Sequence, residues 1–302
     1  MEFGRLANVD GVDFRLPPDA DTEVVGPPIP AAELDLRIGL AGWADTGFRG
    51  SLYPSLTRPA DFLAVHAQAF PTTELNSTYY GYSEERLARW AAAVPDTFRF
   101  CPKLPGTITH ERGIGAADAE MERFVAALGA LGPRLGVVWG VLPPDFGPER
   151  VPILDRFLER WAPRVPLAFE VRHATWFEGE RGTRGFDVFA RHGAVPILCD
   201  VAGRRDALHM RLAAPSVFIR LVGNRPHASD GARARDWVER LESWCARGVA
   251  SAWVFVHQRV DPDAVELAAE LADLWRERTG RDPLPGVRAP LIPPGGLQGE
   301  LF

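Results

Sequence analysis

The sequence predicts an α/β fold: a single (β/α)8 barrel of the TIM type, with an irregular N-terminal arm and a Pro/Gly-rich C-terminal tail. Three observations predict it. The chain has 302 residues, long for one average domain but usual for such a barrel with extensions. Eight short apolar runs recur along its middle. Helical patterns fall between most of them. Buried strands alternating with helices imply parallel pairing, and eight such units match a closed barrel. A doubly wound open sheet is the alternative that this pattern allows, but no GxGxxG follows the first strand to support it. The barrel domain is read as 37–280, the arm as 1–36 and the tail as 281–302.

Each element has its own signal. Residues 1–36 are rich in Pro, Asp and Gly, with LPPDADTEVVGPPIP at their centre, and read as an extended arm rather than a packed element. The strand runs are LRIGLAGW, TTELNSTYY, FRFCPKLP, LGVVWGVLPP, PLAFEVRH, AVPILCD, SVFIRLVGN and AWVFVHQ. Each ends in turn or polar residues. The helix over 59–70 opens on Pro and an acid, and the one over 83–93 on Ser-Glu-Glu, an N-cap followed by acids. Segments 117–131, 149–161, 234–245 and 262–278 are longer and amphipathic, and 185–192 is short. The stretch after Asp200 is the least regular.

Composition bounds the function. Hydrophobic residues make up 46% and charged residues 25%, ordinary for a soluble globular protein. A formal net charge of −6 argues against a basic, DNA-coating protein, although a local basic patch is allowed. Cys101, Cys199 and Cys245 are odd in number, far apart and form no CxxC, which points to a reducing, cytoplasmic setting rather than disulfides or a zinc ribbon. The first residues lack the apolar core of a secretory signal, and no apolar run is long enough for a membrane span. There is no GxSxG elbow, no GxxxxGK[ST] loop and no nucleotide cofactor motif.

In a barrel of this kind the strand middles fill the core and the carboxyl ends present the site. Here those ends are chemically loaded. Glu74, Lys103, Glu170, Asp200 and His257 are the candidate catalytic groups. Trp43, Asn76, Tyr79, His110, Arg172, His173, Trp176, Arg220, Asn224 and Gln258 are the candidate substrate-binding groups. Glu74 and Asn76 are two residues apart, as are Glu170 and Arg172, so a strand points each pair to one face. A charge within an apolar strand must be paired, so Lys103, Arg172 and Arg220 are expected to meet Glu74, Glu170 and Asp200 in the barrel mouth. A salt-bridge network that simply closes the barrel top is the plainer reading of any one pair. His110, His173 and His257 suit acid–base work or a divalent metal, though no HxH or HExxH spacing supports metal directly. Trp43 and Trp176 could wall a sugar or base, or equally plug the barrel. Cys101 shows no mark of activation.

At these residues the sequence resembles the YecE-like family, known as domain of unknown function 72. The likeness rests on IGLAGWADTGFRGSLYP, TELNSTYYGYSEERLARW, FRFCPKLPGTITHER, VLPPDFGPER and FEVRHATWF, in that order over about 37–177. The later FIRLVGN and FVHQ, and the N-terminal GRLANVDGVDFRLPPD, resemble one branch, where other members more often carry HG and FNN. The resemblance implies a TIM-barrel fold with sugar isomerase-like relatives and brings no established reaction. The departures at Val222-Gly223 and His257-Gln258 fall at the site, so branches are expected to differ in ligand.

The chain ends Gln298-Gly299-Glu300-Leu301-Phe302. QxxLF after a Pro/Gly-rich linker resembles the bacterial sliding-clamp-binding peptide, in which Gln298, Leu301 and Phe302 would dock. That would place the barrel in DNA metabolism, with Arg204, Arg205, Arg220, Arg225, Arg233 and Arg235 as local phosphate contacts to nucleic acid. Two functions follow. One is an enzyme acting on a phosphorylated, sugar-like or nucleic-acid-derived substrate, a phosphodiesterase-like hydrolase or an isomerase, with a small anionic or sugar-like ligand. The other is a non-catalytic ligand- or nucleic-acid-binding protein recruited to the sliding clamp.

Overall fold

Among the described residues the apolar runs form nine parallel strand segments at eight positions around a ring. The computed structural model describes residues 4–20, 24–258 and 261–284. The strands are β1 (Asp35–Leu40), β2 (Thr72–Leu75), β3 (Arg99–Pro102), β4 (Val138–Val141), β5 (Leu167–Glu170), β6 (Val195–Pro196), β7 (Leu198–Asp200), β8 (Ser216–Val222) and β9 (Ser251–His257). Two ladders run β3-β2-β1-β9-β8-β7 and β4-β5-β6. The expected sixth strand is β6 and β7 together, joined through Ile197, whose N–H donates to the Phe169 carbonyl at 2.9 Å. Parallel bridges Phe100–Leu135 and Lys103–Trp139 link β3 to β4 and close the ring. Strands β2, β4 and β5 are buried along their whole length, as strands with both faces covered must be. Gly39 is required where β1 meets β2: a Cβ there would lie 2.5 Å from the Thr72 carbonyl oxygen.

Helices α1 (Phe62–Ala69), α2 (Glu84–Ala92), α3 (Asp118–Leu128), α4 (Val151–Trp161), α5 (Gly179–Gly185), α6 (Asp187–His192), α7 (Ser229–Cys245) and α8 (Asp261–Thr279) surround the strands. Ser83 caps α2 by accepting from the Arg86 N–H, as its sequence predicts. The irregular stretch after Asp200 forms tight turns over Ala202–Ala207 in place of a crossover α-helix. Side chains inside the ring alternate with those outside. Trp139, Phe218 and Phe255 stack within the barrel, with centroids 6.0 and 4.9 Å apart, among Cys101, Ala168 and Ile197. No helix among the described residues is long and apolar enough to cross a membrane.

The arm departs from its expected character. It has little regular structure, but it is packed. Arg205 donates to the Phe14 and Arg15 carbonyls at 3.0 Å each, and Asp19 accepts from Arg240 at 2.6 Å and from the Trp244 indole at 2.9 Å. Gly248 (φ +89°) lets the arm pass backbone to backbone, since a Cβ there would sit 2.2 Å from the Gly26 carbonyl. Proline and acid content marked the scarcity of helix and strand among its described residues, but not an absence of contacts.

Candidate functional site

Register decides which side chains reach the mouth. Glu74 lies opposite Cys101, and Arg220 opposite Phe255 and Cys199. Cys101 and Phe255 face the interior, so Glu74 and Arg220 do too. Arg220 bridges two carboxylates there. Its Nε donates to Glu74 Oε1 at 2.8 Å and its Nη1 to Glu170 Oε2 at 2.8 Å. Arg172 Nε donates to the other oxygen of Glu170 at 2.6 Å. Asn76 Nδ2 donates to Glu74 Oε2 at 3.0 Å, and His257 Nε2 lies 3.3 Å from Glu74 Oε1. Glu74 and Glu170 are 0% and 1% exposed, so their charges are tenable because these donors surround them. Burial opposes ionisation of both, yet Arg220 with His257 holds Glu74 well below the usual carboxylate range, and Arg220 with Arg172 lowers Glu170. Burial likewise opposes the Arg220 charge, but the two carboxylates raise its proton affinity.

Lys103, at the end of β3, stands beside this bridge without joining it. Among the described residues its ammonium makes no ion pair or hydrogen bond, contrary to the expected pairing with a carboxylate. Each oxygen of Glu74 and Glu170 already faces a nearer partner among Arg220, Arg172, Asn76 and His257. Nζ instead lies 4.5 Å from the Tyr79 ring centroid and 5.0 Å from that of Trp139. Burial, then the adjacent Arg220, lowers the Lys103 pKa. His110 lies edge-on to Tyr79, with centroids 5.8 Å apart, and holds its Nδ1 2.8 Å from Thr109 Oγ1. Its pKa is lowered by desolvation, then by Lys103 and Arg172. Two carboxylates thus face three cations across an aromatic floor. The structure brings Glu74, Asn76, Tyr79, Lys103, His110, Glu170, Arg172, Arg220 and His257 together, with Trp139.

Six expected site residues lie elsewhere. Asp200 neighbours Cys199, which shares the Arg220 register, so its side chain projects to the opposite face, toward α7. There its carboxylate, 0% exposed, accepts from Arg233 at 2.9 Å, from the Trp237 indole at 2.8 Å and from Arg205. Trp176 is core: its indole donates to the Phe146 carbonyl at 2.7 Å and its ring packs on Phe186 at 5.3 Å. Trp43 packs edge-on against Trp90 at 5.2 Å and Phe100 at 6.1 Å. His173 caps the turn Ala174–Trp176, its Nδ1 accepting from Thr175 N. Asn224 and Gln258 converge on Asp230: the Asn224 N–H donates at 2.9 Å and Gln258 Nε2 at 2.8 Å. Asn224 also lines a separate cleft of about 310 Å³ against the arm, with Arg5 and Asn8.

The arginines expected to touch phosphate are mostly committed within the chain. Arg204 binds Asp206 at 2.9 Å, Arg205 and Arg233 bind Asp200, and Arg225 pairs with Glu266 and Glu270. A divalent metal does not fit between Glu74 and Glu170 as they stand, because Arg220 is bound to both. Among the described residues no group of three or more His, Cys, Asp or Glu side chains converges as a metal would need. Burial pushes the Cys101 thiol up to about 12, in keeping with an inert thiol. Gln298, Leu301 and Phe302 lie outside the described residues.

Comparisons with known proteins agree with this fold. A family profile described as "Protein of unknown function DUF72" matches residues 37–289. The UPF0759 protein YecE of Escherichia coli K12 is 29% identical over 261 residues, covering 80% of this chain and 92% of that protein. The UPF0759 protein YunF of Bacillus subtilis is 30% identical over 174 residues, covering 55% of this chain and 60% of that protein. Two crystal structures of DUF72 family proteins share the fold. The one from Thermotoga maritima has a TM-score of 0.63 at 21% identity, covering 82% of this chain and 100% of its own. The one from Enterococcus faecalis has a TM-score of 0.61 at 18% identity, covering 82% and 99%.

Proposed function

This chain belongs to the DUF72 family, and we propose that it is an enzyme that binds a small anionic, sugar-like substrate at the mouth of its barrel. One observation carries the reading: the buried Glu74–Arg220–Glu170 bridge leaves the mouth with more cations than carboxylates, over the rings of Tyr79 and Trp139. A network that only closed a barrel top would balance its charges. This one keeps Lys103 outside the carboxylate pairing, where an incoming anion meets it and Arg172. Arg220 fixes both carboxylates in the ionised state, so proton transfer falls to the groups at the rim, with His110 and His257 as carriers. Isomerisation or a related proton-transfer reaction on a sugar-like skeleton fits this set better than metal-assisted phosphodiester hydrolysis. A cytoplasmic setting accords with three free, buried cysteines.

The test is calorimetric titration with sugar phosphates, followed by a turnover panel of sugar phosphates and phosphodiesters with and without divalent metals. Binding by the wild type that weakens at least about tenfold in Arg172→Ala supports the reading. Equal affinity in both proteins, or no binding and no turnover across the panel, sinks it.

A second reading rests on the sequence end. QGELF favours recruitment of the barrel to the sliding clamp, whether or not the barrel is catalytic. Clamp pull-down before and after deletion of 298–302 decides it, and equal retention of both forms removes the tail's role.

A further inference from the structure

We propose that Lys103 is the nucleophile of this site, its ε-amine attacking the carbonyl carbon of an anionic aldehyde or ketone and holding it as an imine. The proposal rests on the mouth being an anion-binding active site and names the substrate class that site takes.

The first support is compositional. Of the 34 lysines and arginines in the chain, Lys103 is the sole lysine. Everywhere else this sequence meets the need for a cation with a guanidinium, including at Arg172 and Arg220 in the same mouth. A guanidinium holds carboxylates and phosphates at least as well as an ammonium. What it cannot do at neutral pH is lose its proton and expose a nitrogen lone pair. Retaining one primary amine, at the mouth, points to chemistry that needs that lone pair.

The second support is placement. The main chain of Lys103 is pinned on both sides: its N–H donates to the Leu75 carbonyl at 3.2 Å, and its carbonyl accepts from Thr78 Oγ1 at 2.6 Å. The side chain therefore springs from a rigid strand end. Its nitrogen sits by the Tyr79 and Trp139 rings, with no carboxylate among the described residues bound to it. An amine locked in a salt bridge would have to break it before attacking; this one does not. Desolvation and the neighbouring Arg220 enlarge the neutral fraction, the known route to a reactive lysine. The aromatic faces that hold the ammonium also suit the iminium that replaces it, since the positive charge stays on the same nitrogen.

The step balances within the site. The neutral amine adds to the carbonyl carbon, and the carbonyl oxygen gains a proton to give the carbinolamine. Protonation of that hydroxyl expels water and leaves the iminium. In sum, Lys–NH3⁺ and O=CR2 give Lys–NH⁺=CR2 and H2O, with no oxidant or further reactant. His110, edge-on to Tyr79 and open to solvent, is placed to pass the protons. Arg172 meets the anionic group of the substrate.

The single lysine makes the test clean, because besides Lys103 only the N-terminal α-amine can form a reducible imine. The full-length protein is incubated separately with glyceraldehyde 3-phosphate, glyoxylate, pyruvate and uncharged glyceraldehyde, each with sodium cyanoborohydride, and the adducts are located by peptide mass mapping. The expected result is one adduct on Lys103 with an anionic probe, formed at least about tenfold faster than on the α-amine at pH 7 and absent from Lys103→Arg at an unchanged melting temperature. Comparing the phosphate with the carboxylate probes identifies the anionic group. Labelling confined to the α-amine, with sugar phosphate binding intact by calorimetry, overturns the nucleophile and leaves the anion site standing. Loss of both labelling and binding overturns the two together. Equal labelling of Lys103 by uncharged glyceraldehyde overturns the anionic part of the substrate class.

Discussion

Replacing Arg220 with methionine should invert the pH dependence of stability. Arg220 makes two ion pairs of 2.8 Å, to Glu74 at 0% and Glu170 at 1% exposure. Breaking one buried pair costs about 3–5 kcal/mol because a charge is left unmatched. Here one substitution removes the partner that two facing carboxylates share, leaving Glu170 with Arg172 and Glu74 with Asn76 and His257, which places the loss at about 5 kcal/mol at pH 8, or about 10 °C in melting temperature for a chain of this size. In the wild type, Glu74 is depressed from the ordinary 4.5, so its contribution is present above that pH and is lost as pH falls. In Arg220→Met, one carboxyl is raised instead. Its contribution is present below 4.5 and is lost as pH rises through the raised value, so the variant should lose less relative to wild type at pH 5.5 than at pH 8. Urea unfolding of both proteins at the two pH values reads this directly. A variant as stable as wild type at pH 8, or one whose deficit does not shrink at pH 5.5, would refute the claim that Arg220 neutralises both carboxylates.

Three further outcomes follow from the same geometry. Asp200→Ala should cost about 3–5 kcal/mol by removing the shorter of the two buried ion pairs of Arg233, at 2.9 Å, and leaving only the 3.3 Å pair to Asp230, while changing sugar phosphate affinity by less than about twofold, as calorimetry and urea unfolding will show. His66 is buried, with Nδ1 3.3 Å from the Tyr53 hydroxyl, and burial pushes it down from 6.5 to about 3. The folded state therefore refuses a proton that the unfolded chain takes below 6.5, so wild type should lose about 2 kcal/mol more than His66→Phe between pH 7 and pH 5 in paired unfolding curves. Phe14→Ala should lower the melting temperature without altering the mouth, because the Phe14 ring lies under the Arg233 and Arg205 guanidiniums at 5.0 and 5.5 Å.

The barrel was legible because strands buried on both faces leave uninterrupted apolar runs, and the helices between them leave amphipathic ones. Within the site, legibility followed parity. Glu74 with Asn76 and Glu170 with Arg172 were placed by two-residue spacing, and all four reach the mouth. The same rule applied to Cys199 would have turned Asp200 outward, since adjacent strand residues face opposite ways. Strand ends are harder, because alternation stops where the strand does. Trp43, His173 and Asn224 lie past that point, where turns and loop contacts set direction. The bridging role of Arg220 was beyond single-strand patterns, because it depends on residues from β2, β5 and β8 meeting across the ring.

The packed arm separates two boundaries that are easily equated. The family profile begins at residue 37. The hydrogen bonds do not begin there: Gly4 accepts from Gly203, Arg5 donates to the Gln258 carbonyl, and Asp19 holds Arg240 and Trp244. The arm thus acts as a hoop on the staves of β7 to β9, tightening the wall from which Arg220 and His257 project. The family match spans a shorter segment than the one these hydrogen bonds tie together. A chain trimmed to residues 37–289 would keep every mouth residue and lose part of what holds β7 to β9 in place.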